Sequence, residues 1–279
     1  MNIQTKASFK KELLAYVRTF KLLTVSLVVF GLAVLSPLMI AGMGSLMDSM
    51  SDFYEELGTD VSGMTEALSE TTSIGVVSAI ESITGAALIV MIILINRAAG
   101  GEQKRRAVII PKSSGLRSFS YIFPKYIIYP VSAFLVAVVS VLAAWAVSIP
   151  LFEINDVAFG SALLAGAIAG VHLMLYICFH LTLGTASGRA GMSAAVCIAV
   201  SILLPTILAF AGTDYMYNPF TLNIMASFAL QTSTLSGAEL LDIIATVAFA
   251  LGIMVLTCLI AIFAQNAKKI DNSGNEIDL

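Results

Sequence analysis

The chain has 279 residues, of which 58% are hydrophobic and only 12% are charged, and its mean hydropathy is +0.93. A soluble domain is usually about half apolar and about a quarter charged, so this composition excludes an ordinary soluble protein and indicates an integral membrane protein. The apolar runs are continuous and do not alternate with a period of two, which favours helices over a membrane barrel. The net charge of −3 is uninformative, because the charges are sorted along the chain.

The first 21 residues have the pattern of an amphipathic helix. Apolar side chains recur at three- and four-residue steps, and the basic ones fall mainly elsewhere on the helical wheel: Phe9, Leu13, Val17 and Phe20 against Lys10, Lys11, Arg18 and Lys21. Such a helix is expected in the membrane interface. The alternative is a solvated lead-in to the first membrane span.

The apolar runs predict an all-α polytopic membrane protein with a transmembrane domain at residues 22–265 and a cytoplasmic tail at 266–279. Each run is long enough to cross a bilayer; the predicted spans are residues 22–46, 74–95, 126–150, 158–183, 192–211 and 240–264. Residues 220–230, after the Asn218-Pro219 turn, are apolar but too interrupted to span. They are expected to form a re-entrant segment on the outer side.

The positive residues predict the orientation. Five lie in residues 1–21, seven in the inner loop 97–125, and the others are Arg189, Lys268 and Lys269, which together are all 15 Lys and Arg. Cytoplasmic loops carry an excess of these residues. We therefore expect a multi-pass protein of the plasma membrane with both termini in the cytoplasm. The opposite loop, residues 47–73, is acidic, and is either a solvated face or a cation site.

Two sets of polar residues fall within the predicted spans. Glu81 is expected to be either a functional carboxylate in the membrane or a group that reaches the outer water. His172, Tyr176 and His180 follow at four-residue steps on one side of the fourth span. They are read either as a stripe lining a cavity or as histidines hydrogen bonded at a contact between helices, and no third ligand stands at metal spacing.

The sequence has no motif of an enzyme that hydrolyses ATP or a peptide. It contains no G-x-x-x-x-G-K-[ST] loop, no H-E-x-x-H and no G-x-S-x-G. We therefore expect no enzyme activity, no metal and no nucleic-acid partner. Ionisable groups are scarce in the spans, which argues for energy supplied by another subunit and for an amphipathic or hydrophobic cargo.

Over essentially its whole length, the layout resembles the membrane subunit of type-2 ATP-binding-cassette export permeases. In that family the inner loop commonly has a charged helix led by an acid, then a proline, an arginine and a lysine. Glu102, Pro111, Arg117 and Lys125 follow that order, and Asn218-Pro219-Phe220 resembles the outer segment. Two features depart from the pattern: Lys104-Arg105-Arg106-Ala107 replaces the usual Gly-Thr-Leu, and the gap from proline to arginine is longer.

The resemblance implies an efflux mechanism shared between chains. Two permease copies, identical or different, would pair in the lipid bilayer, each resting on a cytoplasmic ATPase subunit that holds ATP and magnesium, while this chain binds no cofactor. The coupling residues would be Glu102, Lys104, Arg105, Arg106, Pro111, Arg117 and Lys125. The alternative for these bases is anchoring at anionic lipid headgroups.

Two other functions remain open at this point. One is a membrane sensor or immunity subunit that binds an extracellular peptide, and the other is an ion-coupled secondary carrier. Co-purification of an ATPase separates the exporter from the sensor. Transport that follows an ion gradient without ATP would favour the carrier. The exported substrate class, whether peptide, lipid or drug, is not specified by the sequence.

Overall fold

The computed structural model describes residues 3–50, 71–102, 115–211, 218–231, 237–267, 269–270 and 276–277. Its helices in chain order are α1 (Ile3–Arg18), α2 (Lys21–Ser49), α3 (Thr72–Ser82), α4 (Leu88–Ile95), α5 (Ser118–Ser148), α6 (Phe159–Ser187), α7 (Ala190–Ala211), α8 (Leu222–Gln231) and α9 (Gly237–Ala267). Short π-helical turns follow α3 and α4, at Ile83–Ala87 and Arg97–Gly101, and a 3₁₀ turn, Pro219–Thr221, precedes α8. Two-residue strands β1 (Lys269–Ile270) and β2 (Glu276–Ile277) pair antiparallel.

Six helical stretches are long and apolar enough to cross a membrane, which confirms the prediction of a helical, multi-pass membrane protein. They are Lys21–Ser49, Thr72–Gly101, Ser118–Ser148, Phe159–Ser187, Ala190–Ile207 and Glu239–Ala267. The second of these is continuous from α3 through both π-helical turns. The predicted acidic loop falls mostly on residues 51–70, which lie outside the described residues.

Helix α5 begins at Ser118, before the expected start of the third span at residue 126, so Lys125 lies within the helix and not in the loop. The hydropathy pattern stops at this lysine because a charged residue is costly in lipid. The residues before it are nevertheless largely aromatic or apolar, and Tyr121 and Ile122 are buried. The helix extends because the charge of Lys125 is compensated inside the protein, as described below.

Helix α6 is the centre of the bundle and packs against α5, α7, α8 and α9. It is the most buried span, with 72% of its apolar window inside the protein. Gly166 and Gly170 face α5, where a Cβ at Gly166 would lie 3.3 Å from the Val138 Cα and one at Gly170 would lie 2.7 Å from the Phe134 ring. Small residues at this spacing let two helices approach closely.

The segment between α5 and α6 folds over one end of the bundle. The Thr72 N–H donates to the Ile154 carbonyl at 3.0 Å, and the Ser73 N–H donates to Asp156 Oδ1 at 2.9 Å. These bonds satisfy backbone groups at the start of α3, which would otherwise lack partners. Helix α1 lies at the other end of the bundle, which we call the α1 end.

Helix α1 buries its polar face. Thr5, Ser8, Glu12 and Tyr16 recur at three- and four-residue steps and are all buried, and the helix packs mainly against α5. Leu13 and Val17 on its apolar face are exposed, as is Phe20 just after the helix ends. The helix is held by specific polar contacts to the bundle, a feature that the apolar pattern alone did not indicate.

Candidate functional site

A buried ionic cluster lies where the second span meets α5. The Lys125 Nζ donates to Glu102 Oε2 at 2.8 Å, to the Tyr121 hydroxyl at 2.8 Å and to the Ala98 carbonyl at 3.1 Å. An ammonium group has three donors, so its hydrogen-bonding capacity is filled. The Tyr121 hydroxyl in turn donates to Glu102 Oε2 at 2.7 Å. The side chains of Lys125 and Glu102 are 2% and 12% exposed.

The backbone at the end of the second span positions Glu102. Gly100 has φ +154°, a conformation rarely adopted by residues with a Cβ. The turn that contains it lies directly against α6, since a Cβ at Gly184 would be only 1.6 Å from the Ala99 carbonyl oxygen. Neither glycine can be enlarged without moving the turn. This close approach directs the chain back towards α5 and places Glu102 beside Lys125.

The environment of Glu102 stabilises its ionised form. Burial by itself would raise its pKa, but the charge and hydrogen bond of Lys125 and the hydrogen bond from Tyr121, with a smaller contribution from Lys11, lower the pKa of Glu102 to about 2, against an ordinary 4.5. Glu102 is therefore negatively charged at any physiological pH. The pair with Lys125 leaves little net charge in the interior, which is the condition for burying either group.

The same carboxylate connects to α1. Lys11 Nζ lies 3.6 Å from Glu102 Oε1 and 3.7 Å from Glu12 Oε1. Glu12 is buried, and its Oε2 accepts a hydrogen bond of 3.2 Å from the Tyr129 hydroxyl on α5. Glu102 thus touches two other elements, α5 through Lys125 and α1 through Lys11. We refer to Glu102, Lys125, Tyr121, Lys11, Glu12 and Tyr129 as the α1-end cluster.

The structure brings together only part of the predicted coupling set. Glu102 and Lys125 are in contact, whereas Arg117 is exposed just before α5. Lys104, Arg105, Arg106 and Pro111 lie in residues 103–114, outside the described residues. Tyr121, Glu12 and Tyr129 were missed by the sequence reasoning. The sequence does contain a signal for Glu12. Thr5, Ser8, Glu12 and Tyr16 follow one another at three- and four-residue steps and so share one face of the helix.

The predicted polar stripe of α6 is buried in the centre of the bundle. The His172 and Tyr176 rings are 4.9 Å apart, and Tyr176 packs edge-on to Phe220 at 6.0 Å. His180 Nδ1 is 2.7 Å from the Ser193 hydroxyl on α7, which also lies 2.7 Å from the His180 carbonyl. The two histidines therefore have different neighbours and do not pair with each other.

Three atoms of this stripe have no hydrogen-bond partner among the described residues: His172 Nδ1, the Tyr176 hydroxyl and His180 Nε2. A buried polar group without a partner costs about 1–3 kcal/mol. These three atoms of the stripe could therefore form hydrogen bonds with a group that enters the interior. Within the described parts of the chain, no cluster of three His, Cys, Asp or Glu side chains could hold a metal ion.

Glu81 lies apart from both groups, on α3 towards the end of the bundle opposite α1. Its side chain is exposed, and it borders an open groove of about 250 Å³ between α2 and α3, whose walls are Ile40, Ser73, Ile74, Val77, Ser78 and Glu81. The Glu81 side chain is therefore not enclosed in the central core of the bundle. The groove continues towards the end of the bundle where α2 ends and α3 begins.

Comparison with protein-family models, with curated proteins and with solved structures finds no match for this chain.

Proposed function

We propose that this chain is the permease subunit of an ATP-binding-cassette exporter, moving an amphipathic or hydrophobic substrate outward with ATP hydrolysed on a separate subunit. Six helices long enough to span support a transport pathway, and the sequence lacks a phosphate-binding loop. The observation that carries the proposal is the α1-end cluster. It stands where the second span enters the basic segment 103–114.

The cluster supports a coupling role through its connectivity. Glu102 immediately precedes residues 103–114, and its carboxylate is bonded to α5 through Lys125 and contacts Lys11 of α1. A force applied to the basic segment by an ATPase would act first on Glu102. Because short charge-assisted hydrogen bonds are strong and directional, the displacement would reach α5 and α1 together.

The orientation follows from the same distribution of charge. With the positive residues inside, the α1 end is cytoplasmic, both termini are cytoplasmic, and the acidic segment 51–70 is outside. Helix α1 then lies along the inner interface with its exposed Leu13 and Val17, and the Phe20 that follows it, towards lipid. Helix α8 is the re-entrant segment, entering from the outer side and returning after packing against α6.

The stripe on α6 is the proposed contact for substrate. His172, Tyr176 and His180 can donate or accept hydrogen bonds and are buried beside α8 and α7. Movement of α8 away from α6 would expose them to a cargo that carries hydroxyl or amide groups. A second permease copy, identical or different, would complete the pathway.

The proposal is tested by purifying this chain from its own cells and identifying an ATPase that co-purifies with it; the absence of such an ATPase would contradict the proposal. The purified pair is reconstituted in liposomes, and ATPase binding and ATP hydrolysis are measured for the wild type and for Arg105→Glu/Arg106→Glu. Because electrostatic pairing positions charged interfaces, we expect the variant to bind the ATPase at least about tenfold more weakly, a loss of about 1.4 kcal/mol.

The matched control is Lys268→Glu/Lys269→Glu, which reverses two charges on the same side of the membrane in the C-terminal tail. It should bind the ATPase like the wild type. Equal losses in both variants would assign the effect to general attraction or to lipid anchoring. Transport that follows an ion gradient with no ATPase present would instead identify a secondary carrier, and either result would contradict the proposal.

A further inference from the structure

Glu81 lies at a depth where a carboxylate needs a partner. It stands nine residues after Thr72, about 14 Å along the helix axis at 1.5 Å per residue. The stretch Thr72–Gly101 has 30 residues and is about 45 Å long, against a hydrocarbon core about 30 Å thick. A centred span therefore puts Glu81 within the hydrocarbon layer, on an exposed face of the helix.

This chain supplies no positive partner at that depth. No described residue forms a hydrogen bond or ion pair with Glu81, and the sequence has no Lys or Arg at residues 22–96, 126–188 or 190–267. A second copy of the chain would bring the same distribution, with no base in these three stretches. An isolated charge in lipid is costly, so a cation that faces Glu81 must come from a different molecule.

The groove beside Glu81 has the shape of a site for a small head group. Next to the groove, Ser36 of α2 and Ser82 of α3 hold the two helices together, with their hydroxyl oxygens 2.7 Å apart. Its walls combine the apolar Ile40, Ile74 and Val77 with two serines. The π-helical turn Ile83–Ala87 follows directly, and such turns are frequent at functional sites.

The sequence that joins the two helices beside the groove is acidic. Residues 51–70 join the two helices that form its walls, and this segment contains Asp52, Glu55, Glu56, Asp60, Glu66 and Glu70 with no base. Charges of one sign raise the local concentration of ligands of the other sign. An acidic segment joined to these two helices therefore favours cations, and Glu81 is a carboxylate that borders the groove.

We propose that the groove between α2 and α3 binds the ammonium group of a cationic amphipath, paired with Glu81, while its apolar chain lies along Ile40, Ile74 and Val77 and the surrounding lipid. A volume of about 250 Å³ is below the range of a typical drug-sized pocket, which suits a head group and the first part of a chain. That this amphipath is the exported cargo rests on the proposed function.

The test uses the purified full-length chain in maltoside micelles without any ATPase subunit. The probe is dodecylamine with a photoreactive diazirine in its chain, and the reference probe is the corresponding dodecanol. After illumination, labelled peptides are mapped by mass spectrometry. We expect the amine to label the peptides around Ile40 and Val77 about tenfold more than the alcohol, because a charge pair of this kind outweighs a neutral hydrogen bond.

Glu81→Gln should reduce labelling by the amine to the level of the alcohol, and Glu81→Asp should retain part of the preference. The matched control is Glu153→Gln, which removes one exposed carboxylate from the same end of the bundle, outside the groove; it should leave labelling unchanged. Unchanged labelling by the alcohol in Glu81→Gln shows that the groove is intact.

Equal labelling of the wild type and Glu81→Gln by the amine would overturn the proposal, as would an equal loss in Glu153→Gln. Displacement of the probe by an equal concentration of phosphatidylethanolamine would assign the groove to a lipid headgroup and also contradict it. Because no ATPase is present, failure here leaves the coupling proposal standing. A failed coupling test likewise leaves the binding result unaffected.

Discussion

Lys125 shows how a charged residue becomes part of a membrane-spanning helix. Its three donors are all used, by Glu102, by the Tyr121 hydroxyl and by the Ala98 carbonyl. A buried ion pair adds little net stability compared with apolar residues, but removal of one partner leaves an uncompensated charge. The ion pair therefore fixes how the end of the second span packs on α5. Removal of either charge is expected to destabilise the folded protein.

Replacement Lys125→Met should destabilise the protein by about 3–5 kcal/mol at pH 7, because the buried Glu102 carboxylate loses its cation. The measurement is thermal unfolding of the purified protein in detergent. The matched control is Lys11→Met, which removes a lysine that is 56% exposed and 3.6 Å from the same carboxylate. It should cost less than about 1 kcal/mol. Equal effects of the two replacements would contradict the assigned burial.

The stabilities of the wild type and of Lys125→Met should depend differently on pH. In the wild type the folded-state pKa of Glu102 is about 2, below the ordinary 4.5, so its contribution to stability is complete above pH 4.5 and is lost as the pH falls through 2. In Lys125→Met burial dominates and raises that pKa, so acid relieves the buried charge. The stability difference between the proteins should shrink as the pH falls, and a constant difference would contradict this account.

At the scale of elements, two backbone features decide how the helices meet. Gly166 and Gly170 allow α6 to approach α5, and Gly184 allows the turn containing Gly100 to lie against α6. The polar face of α1 is a third device, since Glu12 and Tyr16 fasten this helix to Tyr129 and Ser132 of α5. These contacts hold α1, α5 and α6 around the end of the second span, where Glu102 lies.

Replacement Gly184→Ala should destabilise the protein by about 1–3 kcal/mol, the usual cost of overpacking, because the new Cβ would meet the Ala99 carbonyl oxygen at 1.6 Å. Thermal unfolding again measures it. Gly252→Ala on α9 is the matched control, since nothing lies within 4 Å of its position. It should be neutral or stabilising by up to about 1 kcal/mol. A neutral Gly184→Ala would rule out the close approach.

The whole molecule is polarised by charge. All 15 Lys and Arg fall within residues 1–21 and 97–125 or at Arg189, Lys268 and Lys269, whereas the segment 51–70 is acidic. Lys125 lies within helix α5, but near its start at the α1 end, so its position agrees with this distribution. This distribution supports the proposed ATPase contact at the basic segment and the proposed cationic ligand beside Glu81.

This polarity predicts the result of labelling in intact cells. In a background lacking Cys178, Cys197 and Cys258, a membrane-impermeant maleimide should label Ser62→Cys directly. It should label Ser113→Cys only after permeabilisation, because the proposed orientation puts the basic segment in the cytoplasm. Labelling of both cysteines in denatured protein controls for reactivity. Labelling of Ser113→Cys from outside would invert the topology and remove the basis for the coupling proposal.

The candidate site was predictable in part. The order of Glu102 and Lys125 along the predicted inner loop could be read from the sequence. Their contact depends on the turn at Gly100 and on the start of α5 before Lys125. Hydropathy reveals neither of these features. His172, Tyr176 and His180 share a helix face by spacing alone. Their separate neighbours, Phe220 and Ser193, come from α8 and α7 and required the packed bundle.

The sequence by itself determined that the protein has six apolar runs long enough to cross a membrane and that its positive residues are concentrated in a few stretches of the chain. These are local properties, since the length and hydrophobicity of a run decide whether it can cross a bilayer. Only the tertiary structure decided that α1 buries its polar face, that Lys125 pairs with Glu102 inside the protein, and that Glu81 borders a groove. Such pairings join residues far apart in the chain, and they depend on which helices become neighbours and on which faces meet.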